Sequence, residues 1–157
     1  MKITLLVIGK TEEKWLIEGI TNYLNRLKHY TSFELKVIPE LKNTKSLSQA
    51  QQKKAEADLI AKQLKNTDYV LLLDEHGKTY SSVGFSTFIE KLQINSTSNL
   101  VMVVGGPYGF EESLHQRANG KISLSAMTFS HQMVRLIFVE QLYRAYTILK
   151  GEPYHHE

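Results

Sequence analysis

Three stretches of the chain hold residues whose types and spacing allow chemistry. The first is 99–110, NLVMVVGGPYGF, an apolar run that ends in a Gly-Gly-Pro-Tyr-Gly turn. Gly105, Gly106 and Gly109 let the backbone adopt positive φ and leave room for a ligand to approach, while Pro107 fixes one φ and removes one donor. The second is Asp74-Glu75-His76, followed by Gly77. These are metal-ligand types, but two acids beside a glycine after a strand read first as a turn. The third is C-terminal. Glu140 and Arg144 stand four apart with the acid first, an arrangement that stabilises an exposed helix unaided. Tyr154, His155 and His156 follow in a terminal tail, where histidines taken alone read as solvent-facing. The 157 residues include no cysteine, which excludes disulfides, thiolate zinc sites and cysteine nucleophiles.

The elements that must position these residues follow from the apolar pattern. Leu100 to Val104 is unbroken and predicts a central strand buried on both faces. In open α/β sheets ligands bind outside the carboxyl ends of strands, which makes the glycine turn a candidate pocket wall. Ile3–Ile8, Tyr69–Leu73 and Lys121–Leu124 read as further strands. Phe33–Ile38 alternates apolar and polar, as a half-exposed strand near an edge does, and Pro39 ends it. Between the strands lie helical patterns. Thr11 is placed to cap a helix with Glu12 and Glu13 in its first turn and an inward face of Leu16, Ile20, Tyr23, Leu24 and Leu27. Ser46 and Gln49 are spaced as a capping box for a helix running to about Leu64. A serine-capped helix runs from about Ser82 to Leu92, and a short one covers Phe110 to Arg117. This rhythm predicts an α/β fold with a mostly parallel sheet covered by helices on both faces.

The final helix, about Gln132 to Lys150, carries apolar side chains around nearly its whole circumference. Such a helix must be buried all round. A domain this small covers one side only, so a second subunit, and hence a homodimer, is expected. Gly151 is placed to stop the helix at C′.

Composition sets the frame. With 42% apolar and 22% charged residues the chain reads as one domain, 1–157, with a single sizeable core. The formal charge of +3 and a pI near 9.0 allow an acidic partner such as RNA, although the lysines are dispersed rather than clustered. The N-terminal apolar run is too short for a signal-peptide core, and a cytoplasmic protein is expected. No stretch approaches the roughly 20 apolar residues of a membrane span.

Three C-terminal motifs, VMVVGGPYG at 101–109, ISLSAMTFSHQMVRLIFVEQLYRAY at 122–146 and EPYHH at 152–156, occur in order. With the opening KITLLVIGK, they make the whole chain resemble the bacterial ribosomal RNA large subunit methyltransferase H family, of the SPOUT class of S-adenosylmethionine-dependent RNA methyltransferases. The position before His131, usually proline in that family, is Ser130 here, a change expected to loosen the approach to the last helix without removing a catalytic group.

The resemblance implies a deep C-terminal trefoil knot, a rare exception to ordinary topology. It implies that S-adenosylmethionine is held by Leu73, Gly105, Leu124, Ser125, Ala126, Met127, Thr128 and Phe129, with no metal. Leu73, Leu124, Met127 and Phe129 supply apolar walls for adenine. The implied substrate is a pseudouridine of large-subunit (23S) ribosomal RNA, methylated at N3 in the assembled ribosome. Because N3 carries a proton, a base and an anion stabiliser are needed. His155 is the candidate proton acceptor, Tyr154 the residue that stacks on or hydrogen-bonds the base, and Arg144 the stabiliser of the deprotonated ring or a phosphate. For Arg144 an ion pair with Glu140 stays open beside that role. His131 is expected to satisfy the helix start, and Arg135 either to reach RNA or to form a helix-surface ion pair. Lys10, Lys14, Lys42, Lys45 and Lys78 are candidate phosphate contacts. A non-catalytic ribosome-associated factor that binds cofactor or RNA is the alternative from another class, and a SPOUT enzyme acting on transfer RNA the alternative enzyme. A dehydrogenase is disfavoured because no G-x-G-x-x-G follows the first strand.

Overall fold

A computed structural model describes residues 1–156. Five strands, β1 (Lys2–Ile8), β2 (Ser32–Ile38), β3 (Tyr69–Thr79), β4 (Asn99–Val104) and β5 (Gly120–Ser123), form one sheet in the order β2-β1-β4-β3-β5, and every pairing is parallel. β4 is central, as its unbroken apolar run requires. Leu100, Met102 and Val104 point into one core, with Leu5, Leu71, Phe85 and Phe138; Val101 and Val103 point into the other, with Leu6, Leu72, Ile60 and Phe110. Each such side chain contributes about 1.5–3 kcal/mol by leaving water. β2 forms an edge, its Phe33 and Leu35 half-buried and its Glu34 exposed and paired with Lys2 at 2.7 Å. That ion pair holds the Glu34 carboxyl below the usual carboxylate range.

The helices cover both faces. α1 (Lys14–Leu27), α3 (Ser82–Ile94) and α5 (Met133–Leu149) lie together on one side, and α2 (Gln49–Ala61) and α4 (Glu112–Arg117) on the other. Two start signals differ from expectation. α1 begins after Glu13 without a side-chain cap, because the Thr11 hydroxyl accepts a hydrogen bond from Arg135 instead. The capping box of α2 is Ser48 with Gln51, two residues past the expected pair; Ser46 belongs to a short 3-10 turn, Thr44–Ser46, that precedes it. Gly151 ends α5 at φ +67°, with the Glu152 amide donating to the Thr147 carbonyl, so the predicted stop is present.

α5 is only partly the buried helix its composition predicts. Phe138, Val139, Leu142, Ala145 and Tyr146 are buried against the sheet, α1 and α3, while Met133, Ile137, Ile148 and Leu149 are half-buried within one chain. Arg135 is the larger departure. It is fully buried rather than on a helix surface, and its guanidinium donates to the carbonyls of Ile8, Gly9 and His131 and to the Thr11 hydroxyl, at 2.8–3.2 Å. It thereby ties the end of β1 to the first turn of α5. Ser130 tightens the same turn, because its hydroxyl accepts from the Met133 amide at 3.1 Å, a bond that a proline cannot make.

Candidate active site

At the carboxyl ends of β3, β4 and β5 the chain leaves a cavity of about 510 Å³. Three loops wall it. The first is a bulge inside β3: Leu73 and Lys78 both pair with Ile122, so Asp74 to Gly77 is looped out of the ladder. The bulge keeps its shape through the Asp74 carboxylate, which accepts from the His76 amide at 2.8 Å, and through Gly77, where a Cβ would lie 2.6 Å from the backbone of Ile122. Asp74-Glu75-His76 is therefore a bulge within a strand, where the sequence suggested a turn between elements. Among the described residues no group of three potential metal ligands is gathered.

The glycine turn after β4 is the second wall. Gly109 sits at φ +79° and its amide donates to the Gly106 carbonyl at 3.2 Å, closing the turn over Pro107 and Tyr108. A Cβ on Gly105 would press on the ring of Phe110, which is buried beneath the turn, with His115 edge-on to it at 6.0 Å. The third wall, Leu124 to His131, follows β5. The Ser123 hydroxyl donates to the Ser125 carbonyl and the Ser125 hydroxyl accepts from the Met127 amide, which folds this segment back on itself. The Thr128 hydroxyl reaches Glu75 at 3.1 Å and joins the third wall to the first.

Leu73, Gly105, Leu124, Ser125, Met127, Thr128 and Phe129 all line this cavity, seven of the residues singled out as cofactor-binding from the sequence. Ala126 is exposed in the same loop and does not line it. Pro107 and Tyr108 line it as parts of the glycine turn expected to wall a pocket; Val104, His115, His131 and Val134 line it too, and were not anticipated in that role. His131 leaves the helix start to Ser130 and faces the cavity. The lining combines apolar side chains such as Leu73, Ile122, Leu124 and Phe129 with polar ones such as Ser125, Thr128 and His131, a surface for a flat, partly polar ligand.

Arg144, Tyr154 and His155 form a second cluster, and none of them lines the cavity. After Gly151 the tail folds back along α5. Arg144 bonds Glu140 at 2.5 Å through Nη2 and His155 Nδ1 at 3.2 Å through Nη1, and its guanidinium lies 4.8 Å above the Tyr154 ring. The Tyr154 hydroxyl shares Glu140 at 3.0 Å and meets the Tyr23 hydroxyl at 3.1 Å, while its ring packs 4.7 Å from Tyr143. Burial first, then the bonds to Tyr23 and Glu140, push the Tyr154 phenol well above its ordinary value. Glu140 also raises Arg144, whose charge is secure at any working pH. The tail is pinned further by Tyr30, whose hydroxyl donates to Glu152 at 2.5 Å. That bond raises the Tyr30 phenol to about 12. Tyr23 and Tyr30, more than 120 residues away in sequence, carry no signal that would have joined them to the tail.

The candidate phosphate contacts Lys10, Lys14, Lys42, Lys45 and Lys78 are all exposed, and Lys78 lies 4.8 Å over the Tyr80 ring. Glu56 was also unanticipated. It is buried beside the glycine turn on the inner stripe of α2 with Ala57 and Ile60, and a carboxylate within an apolar stripe is the signal that could have found it.

Residues 1–155 match the family described as "Predicted SPOUT methyltransferase". The chain is 59% identical over 157 residues to the ribosomal RNA large subunit methyltransferase H of Parabacteroides distasonis, 57% to that of Bacteroides fragilis and 55% to that of Flavobacterium johnsoniae, each alignment covering all of both chains. A whole-length match of this strength, on a parallel sheet whose strand ends carry the expected loop cavity, makes the chain a member of the SPOUT methyltransferases and, within them, of the ribosomal RNA large subunit methyltransferase H family.

Proposed function

We propose that this protein is an S-adenosylmethionine-dependent methyltransferase of large-subunit ribosomal RNA that methylates N3 of a pseudouridine in the assembled ribosome. The observation that carries the reading is the cavity at the ends of β3, β4 and β5. It is built by the three loops the family resemblance points to, and its 510 Å³ lies within the range of about 300–1,000 Å³ usual for small-molecule sites. Its residues fit the cofactor. Leu73, Leu124 and Phe129 are apolar walls for adenine, and the glycine turn admits a bent ribose and methionine portion close to the backbone. When bound, the cofactor supplies an electrophilic methyl group on a sulfonium. The chain following β5 is taken to thread the loop around β4 as a trefoil knot, which would hold the three walls at fixed spacing.

The protein's own tasks are to orient the base and to remove the N3 proton. His155 is assigned as proton acceptor, Tyr154 as the group that stacks on or bonds the base, and Arg144 as the cation facing the deprotonated ring or a phosphate. Glu140 orients Arg144 and Tyr154 by binding both. Since this cluster does not line the cavity of its own chain, the reading places the tail of one subunit over the cavity of another. A homodimer in which α5 is covered by a second copy supplies that arrangement. Half-buried Met133, Ile137 and Ile148 and the exposed Trp15 and Ile17 of α1 are the apolar surface available for it. Such an enzyme works in the cytoplasm, where ribosomes are.

The test is methyl transfer from labelled S-adenosylmethionine to intact ribosomes, separated subunits and naked ribosomal RNA from cells lacking this protein, with the product nucleoside identified by mass spectrometry. N3-methylpseudouridine formed only on intact ribosomes is the expected result. Label in another nucleoside or on transfer RNA redirects the substrate. No label from a folded, cofactor-binding protein points to the non-catalytic reading.

A further inference from the structure

A second, smaller cavity of about 210 Å³ lies on the other side of the glycine turn. Ile8, Glu40, Leu41, Thr44, Gln52 and Glu56 line it, and it shares Gly106, Pro107 and His131 with the larger cavity. Two carboxylates meet the backbone here at glycines. A Cβ on Gly106 would collide with both Glu56 oxygens, and a Cβ on Gly9, at φ +78°, would collide with the Glu40 side chain. Only residues without a side chain allow this approach.

Glu56 is 6% exposed, and its Oε1 is buried with no hydrogen-bond partner. Burial raises its carboxyl above the usual range, with the Gln52 amide opposing part of the rise. A buried carboxylate oxygen without a donor is costly, and proteins retain one where a donor arrives from elsewhere. The cavity has the volume of several waters at about 30 Å³ each, so it has room for more than a single solvent bridge. The donor it fits is an ammonium. Two carboxylates face the space, no group of three metal-ligating side chains is gathered among the described residues, and Thr44, Gln52 and His131 offer donors for an adjoining carboxylate. The two cavities share Gly106, Pro107 and His131 as a common wall, and the ligand assigned to the larger one carries an ammonium and a carboxylate together at one end.

We propose that the second cavity is the subsite for the amino-acid end of S-adenosylmethionine, with the Glu56 carboxylate receiving its α-ammonium. This rests on the cofactor assignment above. Adenine then occupies the Leu73–Phe129 side, the glycine turn spans the middle, and Glu56 determines whether the methionine portion is held or left in solvent.

The experiment is calorimetric titration of the intact protein with S-adenosylhomocysteine, with its deamino analogue and with methylthioadenosine, which lacks the amino-acid end. For the unmodified chain, S-adenosylhomocysteine is expected to bind about tenfold or more tightly than the deamino analogue. In Glu56→Gln the S-adenosylhomocysteine affinity is expected to fall by about tenfold while that for methylthioadenosine is unchanged. Equal losses for both ligands would make Glu56 a prop of the glycine turn and overturn the subsite, as would no loss for either. Equal binding of the amino and deamino ligands to the unmodified chain overturns it without any variant. If the unmodified chain binds methylthioadenosine but gains nothing from the amino-acid end, the subsite alone fails; if it binds none of the three, the cofactor assignment fails first.

Discussion

The cavity at the strand ends and the cluster at the end of α5 are built by opposite means. The cavity is mostly backbone: glycines, a bulge in β3 and hydroxyl-to-backbone bonds set its shape, and its position follows from the parallel register of β3, β4 and β5. The cluster is mostly side chain: Glu140, Arg144, Tyr154 and His155 bond one another and rest on Tyr23 and Tyr143. A backbone-built site presents a fixed surface at little cost in ordering entropy, which suits a cofactor held in one pose. A side-chain network carries the charges that move protons and depends on every member for its geometry. The two should therefore fail differently when altered.

The largest separation is expected at His155. His155→Ala should lower turnover on ribosomes by about 10²-fold or more while cofactor affinity, read by calorimetry, stays within about twofold. Equal loss of both would remove the proposed division of labour. The same variant mixed with a chain defective in the cavity should regain about a quarter of the activity. A two-fold dimer formed at random is mixed half the time and then holds one complete site of two. No recovery in a verified mixed dimer would place cavity and tail function within one chain.

Gly77→Ala attacks the other region. Its Cβ meets the Ile122 backbone, which cannot give way as a flexible side chain would. A cost of about 1–3 kcal/mol from overpacking is expected. It should appear as a cofactor affinity about 5- to 150-fold weaker, with the tail's contacts intact. Arg135→Met tests what joins β1 to α5 beneath both regions. Loss of four buried or partly buried hydrogen bonds removes the guanidinium donors from the Ile8 and Gly9 carbonyls, and about 3 kcal/mol of stability should go with them. In a chain of this size that is a fall in Tm of about 6–12 °C by circular dichroism.

The smallest effect concerns the tail's anchor. The Tyr30 phenol titrates at about 12 in the folded protein against an ordinary 10. A phenol raised on folding contributes stability that is present below pH 10 and is lost as pH rises toward 12. Difference absorbance near 295 nm should show late-titrating tyrosines, Tyr30 beside Tyr146 and Tyr154, with one fewer in Tyr30→Phe, and the tail should become more accessible to carboxypeptidase across the same window.

The strands, the central place of Leu100–Val104, the glycine turn as a cavity wall and the Gly151 stop were legible because they depend on local pattern, whereas Leu73 and the segment after β5 were reached through the family resemblance. Apolar runs choose buried strands, and in a parallel α/β sheet the strand ends choose the site. The bulge at Asp74–Gly77 was not legible, since it exists only in the pairing of β3 with β5, nor was the shifted capping box at Ser48, one of several serines with a suitable partner.

What the amino-acid sequence by itself determined was the α/β class, the glycine turn and, through three motifs, the family. Tertiary structure alone decided that Arg135 is a buried clamp rather than a surface contact, that Glu56 lies against Gly106, and that Tyr23 and Tyr30 hold the tail. The reason is sequence distance. Each of these pairings joins residues roughly 50 to 130 positions apart, where no periodicity or capping rule reaches, and where partners are selected by which faces the packed sheet brings together.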